Sequence, residues 1–234
     1  MNTNARRFYE TVSVVEAGGG FSIALDTRRV RTPGGAHFVA PTKALAEACA
    51  QEWAAQEANI VPAAMPVTQL AFAAIDWTRP AREERADFVA SYLQTDMCCY
   101  RASAPRELVE RQERAWQPAV DWAQEALGLK LPVIVGVSPA EAPPGARASV
   151  RDQALAFDDF RLTALTQATA ISGSLILGFA LTQGRLTAEE VYLASVLDEL
   201  WALERWGDDE EARVRLERIR AELDALARFL EALA

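Results

Sequence analysis

The sequence predicts an α+β protein, with a β-rich N-terminal domain of a few antiparallel strands plus helices, followed by a mostly α-helical C-terminal domain. Three observations carry this. Phe21, Ile23 and Leu25 alternate with Ser22, Ala24 and Asp26 between glycine-rich turns, the period of a half-buried strand. From about residue 160 onward the pattern is almost wholly helical. Near the C-terminus, Leu216, Ile219, Leu223, Leu226, Leu230 and Leu233 recur in steps of three and four, an a/d seam. The expected domains are 1–70 and 71–234, with the boundary anywhere from about 60 to 100.

Taken in order, Thr11 to Glu16, Phe21 to Asp26 and His37 to Ala40 make a predicted meander of three strands. Gly18-Gly19-Gly20 and Thr32-Pro33-Gly34-Gly35 supply its turns. Thr42 is a plausible N-cap for a helix whose Leu45, Cys49 and Trp53 share a face. Pro62 and Pro66 break the pattern, a helix follows from Val67 to Trp77, and Pro80 opens another through about Gln94. Asp96 to Arg101 reads as extended. Pro105 fits the first turn of a long helix (Leu108, Gln112, Trp116, Val120, Ala123), which Pro118 should kink or divide. Leu131 to Val137 could be a strand or a packed loop, and Ser138 to Gly145 is linker-like. Thr187-Ala-Glu-Glu190 has the form of a capping box, and Gly207 should end or kink the helix it starts.

Leu162 to Gly184 contains no charge and is long enough to span a bilayer. Eight polar side chains, including Thr163, Thr166, Ser172 and Thr182, favour a buried helix in a bundle instead. A client-binding groove is the third reading.

Half of the 234 residues are apolar and 24% are charged, an ordinary globular balance. The net charge of −9 argues against nucleic acid as partner, because phosphate neutralisation needs clustered cations. Thr187 to Ala234 holds thirteen acids against six arginines, so most of the negative field belongs to the C-terminal helices. Cys49, Cys98 and Cys99 form no CxxC pair or disulfide framework, and free thiols in a reducing compartment are expected. The N-terminus has no apolar signal region and is too short before the first strand for an organelle presequence. A bacterial cytoplasmic protein, or an already mature chain, is therefore expected.

Chemistry is sparse. His37 is the only histidine and fits a surface imidazole, and no zinc-ligand spacing or Gly-x-Ser-x-Gly elbow occurs. The Gly18–Gly20 run precedes a strand instead of a helix, so it is a turn and no phosphate cradle. Asp158-Asp159 and Asp208 to Glu211 lack calcium-loop spacing, and helix N-terminal or solvated charge explains them better. No metal or other cofactor is expected.

What stands out is Ser195 to Glu211, which packs Trp201, Trp206, seven acids and one arginine into a helical pattern broken by Gly207. Trp201 shares a face with Leu197, and Trp206 is rotated roughly 140° from Trp201 at 3.6 residues per turn. Either indole could be a core anchor. Alternatively, the acids rim an apolar patch that grips another protein.

The motifs together resemble one family, the assembly chaperones for the α subunit of the ATP synthase F(1) sector. The resemblance runs nearly the whole chain. It includes Phe8-Tyr9, Gly19-Gly20-Phe21, Leu25-Asp26, Thr32-Pro33, Glu52-Trp53, Thr95-Asp96, Cys99-Tyr100-Arg101, Trp116 and Trp122. Leu186-Thr187, Leu197, Glu199 and Trp206-Gly207-x-x-Glu210 close it. Where the family continues Glu-Trp-Ala-His-Asp, this chain has Glu210-Glu211-Ala212-Arg213-Val214, keeping the first acid and losing the aromatic, the histidine and the aspartate.

The resemblance implies a non-enzymatic, monomeric holding chaperone. It would bind the unassembled α subunit, prevent its aggregation and deliver it to the β subunit, through Glu199, Trp206, Gly207 and Glu210. It implies no nucleotide, nucleic acid or stable membrane insertion. Eukaryotic members act in the mitochondrial matrix, and the bacterial ones in the cytoplasm. The residues alone leave two alternatives: a hydrolase or lyase using a carboxylate pair in an interdomain cleft, and a membrane-associated subunit.

Overall fold

The computed structural model describes residues 5–136, 141–207 and 209–234. Strands β1 (Val12–Ala17), β2 (Gly20–Leu25) and β3 (Arg28–Arg29) form an antiparallel meander in which Val14 faces Ile23 and Ala24 faces Arg29. The third strand is therefore not His37 to Ala40, as the alternation suggested. The chain turns back directly at Asp26 and puts Arg28–Arg29 on one end of the β2 edge. Only the other end is left, where Ala40 makes a single bridge to Phe21. Asp26 holds that turn by accepting from the backbone N–H groups of Thr11 and Glu10, which keep its carboxyl below the usual range.

Helix α1 (Lys43–Ala54) begins at Thr42, whose hydroxyl accepts from the Leu45 N–H at 3.1 Å. The predicted apolar face is real: Leu45 and Cys49 are buried, and Trp53 packs edge-on against Tyr9. Glu52 on the same helix caps the start of α2 (Pro66–Ala73), accepting from Val67 and Thr68 at 2.9 and 2.7 Å. The helix predicted to reach Trp77 changes character first, since Ala74–Thr78 is a π-turn. A short 3-10 turn at Arg79–Ala81 then leads into α3 (Arg82–Ser91).

Asp96 to Arg101 is not uniformly extended. Met97–Cys99 is a 3-10 turn under an Asp96 cap, and only β4 (Tyr100–Arg101) is strand. The fully buried Asp96 also accepts from Ile176 at 3.1 Å, so this turn is tightened to bring one carboxylate onto two segments. Helix α4 (Arg106–Leu127) runs unbroken through Pro118. Pro118 and Arg114, whose carbonyl loses its partner, both lie on the exposed face, where water can replace the missing bond. β5 (Ile134–Val135) pairs in parallel with β4. The first three residues of the expected linker, Ser138 to Ala140, lie outside the described residues, as does Val137.

Helices α5 (Ala146–Ala156), α6 (Asp159–Ser172) and α7 (Leu175–Thr182) follow. The uncharged stretch is thus a hairpin of two helices and not one, split where Gly173 ends α6 and Ser174 caps α7. Four of its hydroxyls are satisfied within the hairpin: those of Thr163, Thr166, Ser172 and Thr182 each donate to the carbonyl four residues earlier, at 2.7 to 2.8 Å, whereas the buried Thr169 hydroxyl has no partner among the described residues. Gly178 permits the close packing of the hairpin, because a Cβ there would stand 2.4 Å from the Thr169 hydroxyl. No helix among the described residues is long and apolar enough to cross a membrane.

α8 (Ala188–Ser195) starts with the predicted capping box between Thr187 and Glu190. The helix expected to run from Thr187 to Gly207 is divided at Val196, so that Gly207 ends a separate α9 (Leu197–Trp206), and α10 (Glu210–Glu231) completes the chain. Along the leucine seam Leu216, Leu223, Leu226 and Leu233 are buried, with Ile219 and Leu230 packed at its margin. α10 lies against α2, α6 and α8, and Phe229 stacks on Phe160. Its C-terminal end is tied back: Thr42 donates to the Ala232 carbonyl, and Arg161 donates to that of Leu233 at 2.9 Å. The buried side chains from Tyr9 to Leu233 form one connected core.

Candidate partner-binding surface

The acidic tryptophan segment forms α9, the turn at Gly207 and the start of α10. Its two indoles have opposite fates. Trp201 is buried, with the Arg111 and Arg205 guanidinium carbons 4.7 and 5.6 Å from its ring centroid. Trp206 ends the helix 78% exposed, the most exposed large apolar residue among those described. The rotation read from helical geometry is what separates them.

Most of the acids are engaged. Asp198 accepts from Gln112 Nε2 at 2.8 Å, and Glu204 pairs with Arg111 at 2.7 Å, so both tie α9 to α4. Glu199 accepts from Nε and Nη2 of Arg215 on α10, one edge of the guanidinium, and retains one-fifth of its side-chain exposure. Asp209 caps α10 by accepting from Glu211 at 3.0 Å. Glu210, in the first turn of α10, remains largely in solvent and pairs with Arg213 at 3.0 Å. Asp208 lies outside the described residues.

Gly207 makes the bend between the helices at φ 99°, ψ 173°, a region essentially closed to residues with a Cβ. Its N–H donates to the Leu203 carbonyl at 3.0 Å. Of the four predicted site residues, the structure thus presents Trp206 and Glu210 outward on either side of Gly207. Glu199 is turned toward α10. Beside α9, half-exposed Leu193 joins Leu197 and Leu200 in a shallow groove of about 340 Å³ against α4, edged by Arg111 and Glu204. Sequence reasoning missed Arg111 over Trp201 and Arg215 on Glu199, since both come from other helices; Arg205, four residues after Trp201 on α9, was within reach of local spacing. It also missed Trp77, 67% exposed at the π-turn. The available signal was an indole at the end of a predicted helix, just before Pro80.

Elsewhere Asp96, Asp158 and Asp159 are structural carboxylates. Asp158 caps α6, accepting from Phe160 and Arg161 at 2.8 and 2.9 Å. Asp159 is pushed up by burial, but Arg79 and Arg82 at 2.9 and 2.6 Å outweigh that and hold its carboxyl below the ordinary range. Burial pushes Asp96 up to about 6, and it is sealed in the core, bonded to Cys98 and Ile176. Among the described residues no group of three His, Cys, Asp or Glu side chains could hold a metal ion. His37 is exposed beside Arg31, and all three cysteines are free and buried.

This architecture recurs in known proteins. A structure of Atp12 from Paracoccus denitrificans superposes with a TM-score of 0.93 at 38% identity, covering 98% of this chain and 99% of that one. The Atu1473 protein of Agrobacterium tumefaciens gives a TM-score of 0.91 at 37% identity, covering 98% and 86%. The mitochondrial protein atp12 of Schizosaccharomyces pombe is 24% identical over 219 residues, 88% of this chain and 75% of its own length. The family model for the ATP12 chaperone protein matches residues 6–124. With that match and a structural relative alike along its whole length, the chain belongs to the ATP12 chaperone family.

Proposed function

We propose that the protein is an ATP synthase assembly chaperone that binds the unassembled α subunit of the F(1) sector and keeps it from aggregating until the β subunit takes it. Membership of the ATP12 chaperone family supports the chaperone role, and the observation that carries the contact site is Trp206. A helix that ends on an indole 78% exposed, beside an acidic turn, has the makings of an interface anchor with a charged rim. In this reading Trp206 and Glu210 touch the client, Gly207 sets the angle between them, and Glu199 acts as a positioning residue by fixing α9 on α10. Full-length likeness to two bacterial proteins supports a bacterial cytoplasmic setting, and the chaperone acts as a monomer.

The energetics require no nucleotide. An orphan subunit exposes an obligate interface, which is large and apolar. Free chaperone at about ten times its dissociation constant leaves roughly a tenth of the client uncovered by mass action. The β subunit then displaces the chaperone by offering a larger interface. The acidic rim governs orientation and on-rate more than affinity.

The deciding experiment mixes purified protein with isolated α subunit and follows light scattering and co-elution. The protein should suppress aggregation and co-elute with α subunit alone, but not with the assembled hexamer. Equal binding to the intact hexamer defeats the reading. Trp206→Ala and Glu210→Lys should each impair capture while leaving the thermal melt nearly unchanged.

A further inference from the structure

Trp77 stands at the mouth of an apolar cleft of about 490 Å³, a volume typical of formed binding pockets. The cleft opens where three parts of the chain meet: the Pro33 turn, α2 with its π-turn, and the neighbouring faces of α6 and α10. Leu226 of α10 is its buried floor, and half-buried Leu70 and Ile171 are its walls.

The charge of this cleft has one sign. Its lining includes Asp76 and Glu222 and neither lysine nor arginine. Asp76 accepts from the Thr32 hydroxyl at 2.6 Å and the Gly34 N–H at 2.8 Å, both neutral donors, so its position is fixed while no cation pairs with it among the described residues. Glu222 meets Arg218 at 3.8 Å, with their side chains 48% and 69% exposed. Such an exposed pair is weak and can be exchanged for another cation.

The π-turn adds a second observation. Single π-turns interrupt the regular ladder and occur disproportionately at functional sites. Here the turn Ala74–Thr78 directs Asp76 onto the Thr32–Gly34 loop and leaves the next residue, Trp77, standing out at the rim.

We propose that this cleft is a second client-binding site, receiving a client segment that carries aliphatic side chains beside a lysine or arginine. The aliphatic groups lie against Leu70, Ile171 and Leu226. The cation comes to rest between Asp76 and Glu222, with the Trp77 indole over its stem or head. The inference rests on the reading of the protein as a chaperone for the α subunit, and it adds which chemistry of that client is gripped.

The test places a photo-crosslinking phenylalanine analogue at position 77, and separately at 206, in the full chain. Each protein is irradiated with isolated α subunit, its aggregation suppression is measured, and the joined peptides are sequenced. Position 77 should capture α-subunit peptides in which an apolar run adjoins Lys or Arg. Glu222→Lys should lower that yield about tenfold without shifting the melt. A protein that suppresses aggregation yet crosslinks only through 206 overturns the cleft alone. Capture by position 77 of a second copy of this chain, or of acidic α-subunit segments, overturns the assigned occupant. Failure to suppress aggregation at all overturns the wider reading as well.

Discussion

Arg111 of α4 lies over the indole of Trp201, its guanidinium carbon 4.7 Å from the ring centroid, while the same guanidinium pairs with Glu204 at 2.7 Å. One side chain thereby covers the buried tryptophan of α9 and holds the outer face of that helix. Gln112, the next residue, takes Asp198 at the start of α9. α9 is thus fixed to α4 along its length, and Trp206 at its end is presented by a rigid support.

The two indoles should therefore separate cleanly under mutation. Trp201→Ala removes a buried aromatic, a change that costs roughly 3–5 kcal/mol. Trp206→Ala removes an exposed one and should change stability by no more than about 0.5 kcal/mol. Urea unfolding of the two variants checks this. Equal midpoints for both would contradict the packing described for Trp201.

Gly207 is expected to be intolerant for conformational reasons alone. A Cβ built on it meets no atom within 4 Å, so alanine would not clash. The strain lies in φ 99°, ψ 173°, where a residue with a Cβ costs on the order of 1–3 kcal/mol. Gly207→Ala should lower the melting temperature or relieve its strain by re-angling α10 against α9. Client capture should fall in either case. An unchanged melt together with unchanged capture would show that the bend is not required.

Asp96 sets a pH dependence of unusual sign. Burial pushes its folded-state value up to about 6, above the 3.8 of an unperturbed carboxyl. The folded state then binds the proton more tightly than the unfolded chain, so this contribution is full below about pH 4 and is lost as pH rises through about 6. The roughly two-unit difference corresponds to about 3 kcal/mol. Asp159 and Glu190, held below their ordinary values, act oppositely and lose stability as pH falls. Comparing wild type with Asp96→Asn across pH 4 to 7 cancels those groups. The wild type should lose ground to the variant as pH rises, and a constant gap would exclude the assignment.

Local signals were legible wherever a short-range rule decides the outcome. Thr42, Thr187 with Glu190, and Gly207 mark helix ends because capping acts within four residues. The leucine seam of α10 was readable because burial follows its period. Expectations failed where a tighter turn or a distant partner intervenes. His37 to Ala40 loses the Ala24–Leu25 end of the β2 edge to Arg28–Arg29, which the turn at Asp26 returns there first, and Asp96 tightens its turn to reach Ile176 across 80 residues. The candidate site shows the same division. The rotation of Trp206 away from Trp201 follows from helix geometry, whereas the pairing of Glu199 with Arg215 depends on how α10 folds back.

That pairing gives the most discriminating prediction about the site. Glu199 and Arg215 are 20% and 52% exposed, so their ion pair should contribute no more than about 1 kcal/mol to stability. Its effect on client capture should be larger than its effect on folding, because it fixes the helix that carries Trp206. If Glu199 acts by positioning, Glu199→Ala and Arg215→Ala should weaken α-subunit binding to a similar extent, about threefold to tenfold. The double variant should then be no worse than either single one. If Glu199 instead touches the client directly, Glu199→Ala alone should weaken binding, and Arg215→Ala should leave affinity intact by freeing the carboxylate. Titration of the three variants against isolated α subunit, with melts run alongside, separates the two arrangements.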